Sequence, residues 1–210
     1  MPEHTTMNTV IHAAFRRDLA RFEDALATFP ADSRARADQL AVAWDNFTTQ
    51  LHHHHVDEET IFFPARAGAG AEPGLIDTLQ GEHEAMQEAL AAADELMTAF
   101  VATPTRANAE AAHAGLARLR TVLVTHLDHE ERDLEPIAHA YRDTEAWKAA
   151  QKAVRKAHPE NLGTFLAWLQ DGADPETMAK LRSEIPAPVV FLLSRVRGRR
   201  YRREVAPTWA

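Results

Sequence analysis

One short frame occurs twice in this chain. His54-x3-Glu58-Glu59-x4-Pro64 returns 72 positions later as His126-x3-Glu130-Glu131-x4-Pro136. In each copy the histidine and the first glutamate are four residues apart, so on a helix they share one face, about one turn from each other. Nitrogen and carboxylate donors on one helix face, presented twice, are the means by which a helix bundle builds a metal site in its interior.

Around this frame the hydrophobic residues fall at helical spacing in four long stretches. The first runs from Thr6 to Phe29 and carries His12, Phe15, Leu19, Phe22, Leu26 and Phe29; Pro30 ends it. The second opens at Asp32-Ser33, good N-cap chemistry, and carries Leu40, Trp44, Phe47, Leu51, His54, Glu58 and then Ile61 or Phe62, before a loop at residues 67–74. The third carries Ile76, Leu79, His83, Met86, Leu90, Ala93, Met97 and Phe100, and closes at Thr103-Pro104. The fourth carries Ala112, Leu116, Leu119, Leu123, His126, Glu130, Leu134 and Ile137. The expected fold is all-α: an up-down-up-down four-helix bundle over residues 1–140, with a C-terminal helical extension over 141–210 packed on it.

Each apolar stripe is interrupted by residues of metal-ligand type: His12, His54, Glu58, His83, His126 and Glu130. Buried carboxylates are costly unless paired or coordinated, so Glu58 and Glu130 at core positions require an explanation. Short connections make successive helices antiparallel. With a rise of about 1.5 Å per residue, the legs between successive candidates then agree within about 8 Å, which brings all six to one level.

Cysteine is absent, so any metal must sit on nitrogen and oxygen. Four imidazoles and two carboxylates suit iron, with manganese or zinc behind it, rather than calcium or magnesium. Two irons bridged by Glu58 and Glu130 would keep open positions for an oxo or hydroxo group, O2 or peroxide; a mononuclear site is the second reading. A ferritin-like site needs two Glu-x-x-His motifs, and only Glu110-x-x-His113 is present, far from the level of His126.

The order of these residues (a first-helix His, then His-x3-Glu, then His, then His-x3-Glu) resembles the hemerythrin-like, HHE cation-binding domain over about residues 8–140. That resemblance implies a four-helix bundle around a non-haem di-iron centre with His12, His54, Glu58, His83, His126 and Glu130 as ligands. It implies O2, H2O2 or NO as small-molecule partners, and roles in oxygen or iron sensing or in peroxide decomposition. The oxygen carriers of the family have a further histidine four residues after the third-helix ligand, where this chain has Gln87. The departure points away from reversible O2 carriage and toward catalase-like peroxide turnover or oxidative and nitrosative defence. A non-enzymatic oxygen or iron sensor is the alternative. His55, Gln87 and His129 are candidates for a further ligand or for a residue beside the ligands; His129 either faces away from His126 or orients a ligand.

Other residues receive plainer readings. His52 and His53 face solvent or a helix seam, since four consecutive residues step around the helix by about 100° each. Glu59 and Glu131 make salt bridges or meet solvent, Met86 and Met97 fill the core, and His4, His113, His139 and His158 have no partner pattern. No separate acid–base residue is identifiable. Tyr141 and Tyr201 reach the centre only if the chain folds back. Six arginines against Glu204 leave residues 191–210 at +5, so a chain of net charge −8 carries −13 elsewhere. An acidic body argues against nucleic acid. The Arg195–Arg203 cluster is a solvated face or contacts a protein or an anionic surface. No transmembrane or signal segment is expected, and the cytoplasm is the expected compartment.

Overall fold

The computed structural model describes residues 6–68 and 70–210, so His4 lies outside the described residues. The described residues are helical, without a strand.

Four long helices carry the stripes: α1 (Met7–Ala27), α2 (Arg34–Asp57), α4 (Pro73–Ala102) and α5 (Arg106–Asp133). A short α3 (Phe63–Gly68) follows α2. Local chemistry sets their starts. The Thr6, Ser33 and Thr105 hydroxyls accept hydrogen bonds from the amides of Asn8, Arg36 and Asn108 in the first turns of α1, α2 and α5. Pro73 opens α4, where a missing amide costs nothing. Asp32 turns the chain from α1 into α2 in the left-handed region, at φ 63°, a conformation that aspartate tolerates better than most residues.

Side-chain pairs fix the helix directions. Phe15 meets His54 while Phe22 meets Trp44, so α1 and α2 run antiparallel. Trp44 donates to Asp94 while His55 lies on His83, which orients α2 against α4. His12 binds Glu131 while Arg120 binds Glu23, which orients α1 against α5. Gly115 lies against Ala93 and Leu96, whereas His83 meets His126, so α4 and α5 are antiparallel as well.

The apolar stripes are buried along most of their length. They divide into a large cluster running from Val10 to Phe100 and Leu127, and a small one of Phe63, Ala71, Leu79 and Leu134. The polar layer of histidines and glutamates lies between the two.

The two copies of the frame end differently. After α2 the chain makes a π turn, Glu58–Phe62, in which the Phe63 amide donates to the Glu58 carbonyl five residues back. After α5 the helix breaks at Leu134 and restarts as α6 (Glu135–Tyr141). The shared cause is proline: Pro64 and Pro136 have no amide for the carbonyl four residues earlier. The π turn corrects the expected stripe. Ile61 and Phe62 are only half-buried, and the core positions after Glu58 are Phe63 and Arg66. The loop at 67–74 is also shorter than expected, because α3 continues to Gly68 and α4 starts at Pro73.

Beyond α6 come α7 (Glu145–Ala157), α8 (Leu162–Gln170), α9 (Pro175–Glu184) and α10 (Ala187–Val196). A second π turn (Tyr201–Val205) and a 3-10 turn (Ala206–Trp209) complete the described chain. The extension is thus four short α-helices followed by two single turns. Leu166, Trp168, Leu169, Leu181 and Tyr201 join the large cluster. Trp168 is its tail-side anchor. The indole donates to the buried Asp18 carboxylate at 2.7 Å, and its ring lies 5.0 Å from that of Phe15. Phe15 in turn packs on His54 at 5.4 Å.

Candidate metal centre

The polar layer assembles from all four long helices and the π turn. His12 comes from α1, His54 and His55 from the last turn of α2, Glu58 from the start of the π turn, His83 from α4, and His126 and Glu130 from the end of α5. All seven are buried.

They form two overlapping groups: His55, Glu58, His83 and His126 in one, and His12, His54, Glu58 and Glu130 in the other. Within each group every residue offers a ligand atom within 4.8 Å of the others. Glu58 belongs to both. The structure thus brings together all six residues singled out in the sequence, with His55, the candidate seventh, among them. Gln87 is exposed and outside both groups, as is the half-buried His129.

Ring orientation determines what these groups can hold. His12 Nδ1 donates to Glu131 at 2.8 Å, His83 Nδ1 to Glu59 at 2.9 Å, and His126 Nδ1 to Glu82 at 2.9 Å. A neutral imidazole that donates through Nδ1 has a lone pair on Nε2. The His83 and His126 Nε2 atoms are 3.2 Å apart, and His12 Nε2 is 3.4 Å from Glu130 Oε2. Lone pair therefore faces lone pair, and lone pair faces carboxylate. Such contacts are repulsive unless a proton or a cation lies among them.

The unsatisfied atoms point the same way. His12, His54 and His55 Nε2, both Glu58 oxygens and Glu130 Oε1 are buried without a hydrogen-bond partner. Leaving six polar atoms unpaired, at about 1–3 kcal/mol each, costs as much as the whole stability of a typical domain. The donor set therefore fits cations bound by nitrogen and oxygen.

The electrostatics agree. Burial, reinforced by the neighbouring Glu130 charge and partly offset by Arg66, pushes the Glu58 carboxyl well above its usual range. Burial alone would also raise Glu130, but the His12 hydrogen bond and the charges of Arg66, His126 and His12 hold it well below. Burial and neighbouring histidines lower His54 and His55 strongly, so both are neutral and able to ligate. His126 is lowered too, mainly by burial. Burial opposes charge on His12, yet Glu130 and Glu131 raise it.

A further ring of residues holds these groups in place. Glu59 and Glu131, given salt-bridge roles from the sequence, bind His83 and His12. Glu131 also accepts from Arg16 at 2.7 Å. His129 donates from Nδ1 to Glu82 at 2.7 Å, and Glu82 receives His126, so His129 orients a candidate ligand through one carboxylate. Carboxylates on the far nitrogen of a ligating histidine fix its tautomer and strengthen it as a ligand.

Sequence reasoning missed Glu82, Asn8, Arg66 and Glu135. Asn8 donates to Glu130 Oε2 at 3.3 Å. Arg66 is buried between Glu130, at 3.6 Å, and Glu135, at 3.3 Å, and Thr6 also donates to Glu135. Adjacency to His83 was the available signal for Glu82; Arg66 had none, because the π turn sets its direction. Of the plainer readings, His52 is exposed, and His53 stacks on His158 at 3.9 Å. His158, which had no pattern in sequence, also bonds Asp57. Tyr201 donates to Asp171 and Tyr141 is exposed, so neither is part of the metal groups.

A helical chain whose core holds two overlapping clusters of histidine and carboxylate is, as a class, a helical protein with a candidate metal site. The comparison with family models makes this specific: residues 9–138 match the hemerythrin HHE cation binding domain, and the chain belongs to that family. No curated protein and no solved structure matches the chain. Among the described residues no helix is long and apolar enough to cross a membrane.

Proposed function

We propose that residues 1–140 form an up-down-up-down four-helix bundle holding two iron ions, and that the centre decomposes hydrogen peroxide. One ion would be held by His55, Glu58, His83 and His126, the other by His12, His54, Glu58 and Glu130, with Glu58 shared. The observation that carries this reading is the convergence of unpaired Nε2 and carboxylate atoms on two adjoining points with one glutamate in common. Iron is preferred to manganese or zinc because a nitrogen-rich, thiolate-free set with a shared carboxylate suits a pair of redox metals.

When bound, iron would supply the redox chemistry that turns two H2O2 into O2 and two H2O. The chain's own residues do the rest. Glu59, Glu82 and Glu131 keep the proton on Nδ1 of their histidines and so keep Nε2 free. Arg66 balances Glu130 and Glu135, and the two apolar clusters on either side exclude bulk water. Turnover is favoured over O2 carriage because Gln87, at the place of the carriers' extra histidine, points to solvent. Small oxidants such as O2 and NO are further ligands of the same centre. The reading keeps the cytoplasmic placement expected from the sequence.

The test is oxygen release on an electrode after H2O2 is added to protein of known iron content. Many O2 per iron pair, lost in Glu58→Ala, supports turnover; none from protein holding two irons per chain refutes it. One contact favours a sensor as the second reading. Trp168 of the 141–210 extension bears on Phe15, and Phe15 on His54, so one ring separates the extension from a candidate ligand. Altered proteolysis of the extension on iron removal would support sensing.

A further inference from the structure

The metal centre makes no use of α10, although this helix is the least ordinary surface of the molecule. Phe191 and Leu192 are each 60% exposed, and Val189 and Val196 are exposed beside them. Its inner side is fixed. Val190, Ser194 and Gly198 form a buried stripe at four-residue spacing. The contact with α8 is close enough that a Cβ at Gly163 would lie 2.2 Å from that of Arg197. With the inner face committed to so tight a seam, the helix cannot roll to hide Phe191 and Leu192.

Arginines share this outward face. Arg195 sits over the Phe191 ring at 5.1 Å, and Arg199 follows one turn later. Residues 191–210 contain one carboxylate, Glu204, and it pairs with Arg200 at 3.0 Å. Among the described residues no carboxylate pairs with Arg195, Arg197, Arg199, Arg202 or Arg203; Arg202 instead donates to the Arg195 carbonyl. Exposed aromatic and aliphatic side chains interleaved with unpaired arginines are the chemistry of a helix that lies in a lipid headgroup layer. There the apolar side chains enter the acyl boundary and the guanidiniums meet lipid phosphates.

We propose that α10 and the arginines after it dock this protein on an anionic membrane surface. Charge selects this occupant. Residues 191–210, which hold this face, carry +5 while the remainder of the chain carries −13. An anionic surface therefore attracts one side of the molecule and repels the rest, which fixes a single orientation with the helix axis in the membrane plane. Docking is peripheral and reversible, since the apolar part is two turns of one helix.

The experiment is flotation of the full-length, metal-loaded protein with two kinds of vesicle, phosphatidylcholine alone and phosphatidylcholine mixed with phosphatidylglycerol. The expected result is co-flotation with the phosphatidylglycerol vesicles only, weakened by added salt. Phe191→Ser with Leu192→Ser should abolish it. Arg195→Glu with Arg199→Glu should weaken it by more than about tenfold, given about 1 kcal/mol for each basic residue at such a surface. All four positions are exposed, so both variants should keep the wild-type helical signal and metal content. Absence of flotation with phosphatidylglycerol vesicles at low salt overturns the proposal, as does flotation that both variants retain. It is equally overturned if wild type self-associates in sedimentation velocity, the serine variant is monomeric, and neither binds vesicles; the face would then join two copies of the chain.

Discussion

Replacing Trp168 with alanine tests whether the extension is part of the same cooperative structure as the helices that carry the candidate ligands. The side chain is fully buried and stands between Asp18 and Phe15. Losing a buried tryptophan of this kind costs about 3–5 kcal/mol in transfer and cavity terms. Asp18, itself buried, would also lose its only bond to Oδ2, while Arg17 at 2.8 Å and Arg21 at 3.4 Å still hold Oδ1. That adds about 1 kcal/mol, the low end for an under-satisfied acceptor, because the carboxylate keeps two cations. The total of about 4–6 kcal/mol is a large part of the 5–15 kcal/mol of a typical domain. Urea unfolding of chelator-treated protein, followed by far-UV circular dichroism, would measure it. We expect one transition in wild type and a midpoint far lower in Trp168→Ala. Trp168→Phe, which keeps a ring against Phe15 but loses the hydrogen bond and the volume of the second ring, should cost less than the alanine variant, about 2–3 kcal/mol. A loss below about 1 kcal/mol in the alanine variant, or a separate early transition confined to part of the helical signal, would refute the shared core.

Metal stoichiometry gives a second test: Glu58→Ala should lose both ions, His12→Ala should keep one, and His52→Ala should keep two, read by elemental analysis after desalting. Metal uptake should release protons from Glu58 and His12 wherever the pH lies below their raised pKa values, and none from His54 or His55, whose values are lowered, once the pH is above those. Because the proton and the metal compete for Glu58, apparent affinity should rise with pH and level off above the raised value. Calorimetry in buffers of different ionisation enthalpy would count the protons, and Glu58→Gln should lower the count. Arg66→Met leaves Glu130 and Glu135 buried without their cation and should destabilise the metal-free chain by about 3–5 kcal/mol; a thermal shift near zero would contradict the pairing.

The level of the centre was legible because helix rise is nearly constant. Counting residues from His12 to Glu130 through three turns was enough to align donors that are 118 positions apart. Which of His52–His55 face inward was only half legible. A four-residue run spans most of the helix circumference, and the choice of His55 depends on where α4 places His83, a tertiary matter. Arg66 was invisible for a different reason: the two frames are identical in spacing through Pro64 and Pro136, yet one relaxes into a π turn and the other into a break. The docking of the extension was equally hidden, because Asp18 and Trp168 are 150 residues apart and neither announces a partner by periodicity.

That π turn makes the reading frame of the helix itself a functional quantity. Five residues occupy the turn where four would continue the α-helix, so everything after Glu58 is displaced by one position, about 100° around the axis. Converting the turn to plain α-helix with no change in chain length would undo that displacement. It would swing Phe63 off the His83 ring, on which it stacks at 5.3 Å, and carry Arg66 away from Glu130. The centre would keep its two histidines and Glu58 from this segment and lose both the lid and the counter-charge. Deleting one residue of the turn, such as the exposed Thr60, would instead straighten the helix and leave Phe63 and Arg66 in place, so a chain one residue shorter would build the same metal site.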